Sequence, residues 1–180
     1  MPATINTQHY KTRGFSLFEL VVVILLIGVF MTIAIDNLLR LQIDAERVSV
    51  QHVIGSLNSA VNLEAADRIL KQGLGSIKSL ENSNPMDYLS ELPFNYIGVR
   101  SDLAAATSAN ASWYFDPDAK ILVYKVRNRK YFNSELDGTP RIRFKVALVY
   151  RNNIANGPIS AIQGVHLKSL DNYSWITEDL

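Results

Sequence analysis

From Gly14 to Ile35 the chain reads GFSLFELVVVILLIGVFMTIAI, a run that is apolar except for Glu19 and the mild interruptions Ser16, Gly28 and Thr32. Its length is about what an α-helix needs to cross the hydrocarbon core of a bilayer. Beyond Ile35 the helical pattern continues but turns amphipathic. Val50, Val53, Ile54, Leu57, Ala60 and Val61 follow the i, i+3, i+4, i+7 rule, with Arg47, Gln51, Asn58, Asn62 and Asp67 elsewhere. No proline interrupts, Gly55 is tolerated, and the pattern fades at Leu70-Lys71 before Gly73 and Gly75, which suit a C-terminal stop. As one helix, Phe15 to Leu70 would be about 84 Å long at 1.5 Å per residue. Only its first third fits a membrane, so the second half needs a surface on which to lay its apolar stripe.

Residues 72–111 read as a connecting region. Asn84-Pro85-Met86-Asp87 is a short helix start, with asparagine as cap, proline at the first helical position and an acid in the first turn, and Pro93 ends it. Leu103 to Ser112, LAAATSANAS, is small and polar enough for a loop, and Gly73-Leu74-Gly75 reads as a turn, lacking the rest of a phosphate-binding fingerprint. From Ser112 the period changes to two. Trp113-Tyr114-Phe115 and Lys120 to Val126 flank Asp116-Pro117-Asp118, a hairpin turn. Arg141 to Tyr150 alternates charged and apolar residues, and a further strand is expected at Ala161–Leu170. The expected fold is therefore α+β: a long N-terminal helix packed across a C-terminal antiparallel sheet of about four strands.

The charge inside the first run changes the picture. A carboxylate near the start of a segment that otherwise suits lipid costs several kcal/mol, marks function and implies a partner. Ahead of it, Met1 to Arg13 is short and polar, with Lys11 and Arg13 and no acid. Gly14-Phe15-Ser16-Leu17-Phe18-Glu19-Leu20 resembles the class III prepilin signal of type IV pilins and type II secretion pseudopilins. The resemblance covers about 30 of the 180 residues. It implies cleavage after Gly14 by a prepilin peptidase, N-methylation of the new first residue Phe15, and an assembly role for Glu19, which would pair with the methylated amine of Phe15 in a neighbouring subunit. It also implies residence in the bacterial inner membrane with the C-terminal domain periplasmic, then incorporation into a filament with other pilin or pseudopilin subunits by an inner-membrane assembly platform. The organisation implied is a cleaved leader 1–14, a transmembrane and filament-core helix 15–35, its amphipathic continuation 36–71, the connecting region 72–111 and a β domain 112–180. Many pilins carry a proline in the second half of the apolar run; here none precedes Pro85 except Pro2 in the leader, and Gly28 is the one helix-weakening residue left.

Other readings of the run stay open at this point. A secretory signal would be cut after a small-x-small site, for which Thr32-Ile33-Ala34 is the candidate, but its apolar core is shorter and holds no glutamate. A plain signal anchor, carrying a non-polymerising periplasmic binding domain, needs no cleavage. Lys11 and Arg13 on one side face Arg40 and Arg47 on the other, so charge bias does not set orientation.

Composition narrows the function classes. Formal net charge is +1; without the two basic residues of the leader, 16 basic residues face 17 acids. No basic run is interleaved with aromatics, so nucleic acid is not an expected partner, whereas membrane lipid is. Cysteine is absent, which excludes zinc–thiolate sites and thiol nucleophiles and, beside the disulfides of many type IV pilins, leans towards pseudopilins. His9, His52 and His166 are scattered, and no Ser-His-Asp set or H-E-x-x-H stretch is present, so no enzyme and no cofactor is expected. Asp116 and Asp118 are oxygen donors of the kind calcium takes, but two acids around a proline fall short of a ligand loop and read first as a solvated turn. Asn110-Ala111-Ser112 and Asn172-Tyr173-Ser174 fit the N-glycosylation pattern, which arises often by chance. Trp113, Tyr114, Phe115 and Trp175 read as core and rim of the sheet.

Overall fold

The computed structural model describes residues 14–100, 110–151 and 162–176. The leader residues 1–13, most of the expected loop Leu103 to Ser112 and the expected strand start at Ala161 lie outside them. The chain divides into two compact units, one ending at Arg40 and the other Leu41–Leu180. A single helix, α1 (Leu17–Gln72), contributes to both. Gly14, Phe15 and Ser16 precede it without helical structure.

In the first unit every described side chain is exposed. The helix runs through Gly28 unbroken, and a side chain there would meet nothing within 4 Å. Two polar side chains of this stretch bond back to their own helix: the Thr32 hydroxyl donates to the Val29 carbonyl (2.7 Å) and Asn37 Nδ2 to that of Ile33 (3.1 Å). Such internal satisfaction is what an apolar surrounding demands of a hydroxyl or amide. Among the described residues α1 is the one helix long and apolar enough to cross a membrane.

In the second unit α1 buries Ile43, Glu46, Val50, Leu57, Val61 and Ala65, a stripe at three-, four- and seven-residue spacing. Gly73 stops the helix with φ +84°, a left-handed backbone that glycine adopts without strain. A 3₁₀ helix at Leu74–Leu80 follows and buries Ile77 and Leu80. A second, Pro85–Tyr88, has the expected cap: Asn84 Oδ1 accepts from the Met86 amide (3.2 Å).

The strands are β1 (Tyr96–Val99), β2 (Ser112–Asp116), β3 (Ile121–Lys125), β4 (Phe132–Ser134), β5 (Arg141–Tyr150), β6 (Ile162–Ser169) and β7 (Tyr173–Trp175). Five of them form one sheet in the order β1-β2-β3-β5-β6, and β4 and β7 pair separately. The α+β layout is as expected, with a correction to strand number and direction. The four anticipated strands form the antiparallel part of the sheet. A fifth, β1, lies parallel to β2, so the sheet is mixed. It was hidden because four residues interrupted by Gly98 at φ +87° display no alternation.

Along β5, Ile142, Phe144, Val146 and Leu148 point into the core and the residues between them do not. They join Val50, Leu57 and Val61 of α1 and Trp113 and Tyr124 of the sheet in one cluster. Trp113 sits 4.8 Å from Tyr124 and 5.9 Å from Phe144, ring centre to ring centre. Two polar ties join helix and sheet. Asn58 Oδ1 accepts from the Leu167 amide on edge strand β6 (2.9 Å), occupying a donor that an edge would otherwise leave open. Glu46 Oε1 accepts from the Tyr124 hydroxyl (2.9 Å) and the Arg127 amide (2.8 Å), while its Oε2 is buried with no hydrogen-bond partner among the described residues. Burial, then the neighbouring Glu46, pushes the Tyr124 hydroxyl far above the usual phenol range.

Candidate processing and assembly site

The helix start is defined by Ser16. Its Oγ accepts from the Glu19 amide (3.2 Å) and its carbonyl accepts from the Leu20 amide (3.1 Å), the two bonds of an N-cap. Glu19 therefore stands at the third helical position, and Ser16-Leu17-Phe18-Glu19 has the spacing of a capping box. An acid here stands at the positive end of the helix dipole, the end where acidic side chains stabilise a helix. Glu19 is exposed in the first turn, as are Phe15, Leu17 and Phe18. The Gly14–Phe15 bond lies two residues ahead of the helix, in a segment without secondary structure.

Gly14 itself answers to no demand of this fold. Nothing stands within 4 Å of where a side chain would begin, and its φ is outside the left-handed region. An ordinary residue would fit there.

The other candidates are placed differently. Asp116 is buried, and its Oδ1 accepts from the amides of Asp118 (3.0 Å) and Ala119 (3.2 Å), so this carboxylate caps its own turn between β2 and β3. Asp118 is exposed on that turn. Among the described residues no group of three or more His, Asp or Glu could hold a metal ion. Asn172 is exposed, with Nδ2 donating to Glu135 Oε1 (3.2 Å), and Asn110 precedes β2. Trp113, Tyr114 and Phe115 are buried in the sheet, and Trp175 packs edge-on against Phe132 at 5.1 Å. Sequence reasoning missed Glu46, the one buried acid on α1, because an isolated glutamate within an amphipathic helix carries no signal of its own.

Residues 10–35 match the prokaryotic N-terminal methylation motif. The chain thus carries a type IV pilin-like prepilin signal, and that signal with one long apolar N-terminal helix fits membrane anchoring. No curated protein and no solved structure matches the chain.

Proposed function

We propose that this chain is the precursor of a structural subunit of a type IV pilin-like filament. A prepilin peptidase cuts after Gly14 and methylates the amine of Phe15. The chain sits in the bacterial inner membrane with Leu41–Leu180 on the periplasmic side, and is then drawn by the assembly platform into a pilus or a type II secretion pseudopilus. It is the peptidase's substrate and carries out no reaction of its own.

The observation that carries this reading is the methylation motif at residues 10–35 with Glu19 in the first helical turn. A carboxylate in low dielectric must find an opposite charge or lose its own. Cleavage after Gly14 creates that charge on Phe15, four residues away along the chain, and an identical amine on every neighbouring subunit. The unpinned Gly14 supports the same reading: the fold does not require glycine there, whereas a protease closing on the scissile bond does.

Replacing Glu19 by Ala tests the assembly role. The variant inserts and is cleaved like the parent, and its share of sheared filament fractions falls sharply. Equal incorporation would remove the pairing role of Glu19.

A further inference from the structure

The turn after the second 3₁₀ helix exposes apolar side chains where the fold does not need them. Phe94 is 99% exposed and Leu92 52%. Phe94 rims a cleft of about 500 Å³ whose walls include Gln42, Ala45 and Ser49 of α1, together with Tyr124 and Arg127. The Glu46 tie to the Arg127 amide fixes the start of a basic loop at that same stretch of helix. The segment reads Arg127-Asn128-Arg129-Lys130, its last two residues opening a short 3₁₀ turn (Arg129–Tyr131). Its three basic side chains are exposed, with Lys130 Nζ 5.4 Å from the centre of the Tyr131 ring. Against them the turn 91–95 contributes one acid, Glu91.

Position along the chain says what this surface meets. Gln42 follows Ile35, the end of the apolar run, by seven residues, a tether of at most about 25 Å even fully extended. Phe94 shares this cleft with Arg127, and Arg129 and Lys130 follow Arg127 directly in the chain. An exposed aromatic with basic residues, tethered this closely to a membrane span, is the composition of a membrane-surface contact, in which apolar side chains enter the acyl boundary and basic ones meet anionic headgroups. A second copy of the chain is a poorer fit. A stable protein interface needs about 800 Å² from each partner, and this turn offers two large exposed apolar side chains, Leu92 and Phe94.

We propose that the Leu92–Phe94 turn and the Arg127–Lys130 loop form a lipid-contacting surface, which holds the folded unit against the bilayer while the subunit awaits assembly. The proposal rests on reading the apolar run as a membrane span. The side of the membrane does not matter, because the contacted leaflet is the one from which residue 42 emerges.

The absence of cysteine makes the test direct. The full chain is placed in vesicles of phosphatidylethanolamine with a minority of phosphatidylglycerol. Single nitroxide labels are attached at Phe94→Cys, at Asp118→Cys in the exposed β2–β3 turn, and at Val22→Cys within the span. The ratio of collisions with oxygen to collisions with a water-soluble nickel chelate reports lipid contact. The expected result is a ratio several-fold higher at 94 than at 118, approaching that at 22, and lower at 94 when phosphatidylcholine replaces the anionic lipid. A ratio at 94 equal to that at 118, with 22 in lipid, overturns the surface contact and leaves the span standing. Water contact at 22 as well overturns both. Spin–spin broadening at 94 that vanishes on dilution with unlabelled chain overturns the lipid contact in favour of a second copy. An unchanged ratio in neutral vesicles overturns the part given to the basic loop.

Discussion

Ser16 and Glu19 share the first turn of α1 yet answer to different demands. The serine satisfies a backbone donor that any helix start leaves open. The glutamate places a carboxylate in a first turn that suits acids and in a segment whose apolar surround makes it costly. Ser16→Ala therefore costs about 1 kcal/mol of local helix stability, seen as faster hydrogen exchange at the Glu19 amide, and leaves the rest of α1 unaltered. Unchanged exchange would contradict the cap. Glu46 supports a sharper contrast. Both of its hydrogen bonds go to one oxygen, which an amide side chain also supplies. Glu46→Ala leaves the buried Tyr124 hydroxyl unpaired and lowers unfolding stability by about 2 kcal/mol. Glu46→Gln keeps both acceptor contacts and costs less than half as much. The urea midpoints of the two variants in detergent check the order, and equal losses would show that charge, not acceptor geometry, holds the tie.

At the scale of elements, burial divides α1 beyond Arg40 into a face that stabilises and a face left free. Leu57 is wholly buried in the core, whereas Leu63, six residues on, is largely exposed. Leu57→Ala is expected to cost about 2–5 kcal/mol through lost contacts and a cavity, while Leu63→Ala stays within about 0.5 kcal/mol; thermal unfolding separates them. This helix and the strands β5 and β6 were legible in the sequence because each is long enough to show its period, and β2 and β3 as apolar runs on either side of the Asp116-Pro117-Asp118 turn. The stop at Gly73 and the cap at Asn84 were legible because their residue types have one backbone use. What stayed hidden was short. Strands β1, β4 and β7 have three or four residues each, and their existence depends on partners rather than on their own pattern. The 3₁₀ helix Leu74–Leu80 is likewise held by Ile77 and Leu80 reaching the core. The processing residues were legible as chemistry in fixed order. The cap that sets Glu19 at the third helical position is written in the same four residues, as the spacing of Ser16 and Glu19, but the cleavage signal that overlaps it masks it.

For the whole molecule, pH response follows from buried phenols. Burial raises the hydroxyls of Tyr124, Tyr96, Tyr114 and Tyr173, while it lowers the Lys125 ammonium. A phenol raised in the folded state leaves stability whole below its unfolded value near pH 10. Above that, the unfolded chain releases protons first and stability falls by up to about 1.4 kcal/mol per pH unit per group. Lys125 opposes this, since the unfolded chain holds that proton longer, but one amine faces four phenols. Stability should therefore decline above about pH 10, with a shallower slope in Tyr124→Phe. Urea midpoints across that range check it, and equal slopes would contradict the assignment to Tyr124.

The largest claim is that this folded unit is carried on a segment made to be cut, methylated and packed. The intact mass and N-terminal peptide of the protein recovered from its native membrane test it most directly. The expected result is a chain that begins with N-methylated Phe15. A chain that keeps Met1 to Gly14, in cells that process their other prepilins, or one cut after Ala34, would contradict it.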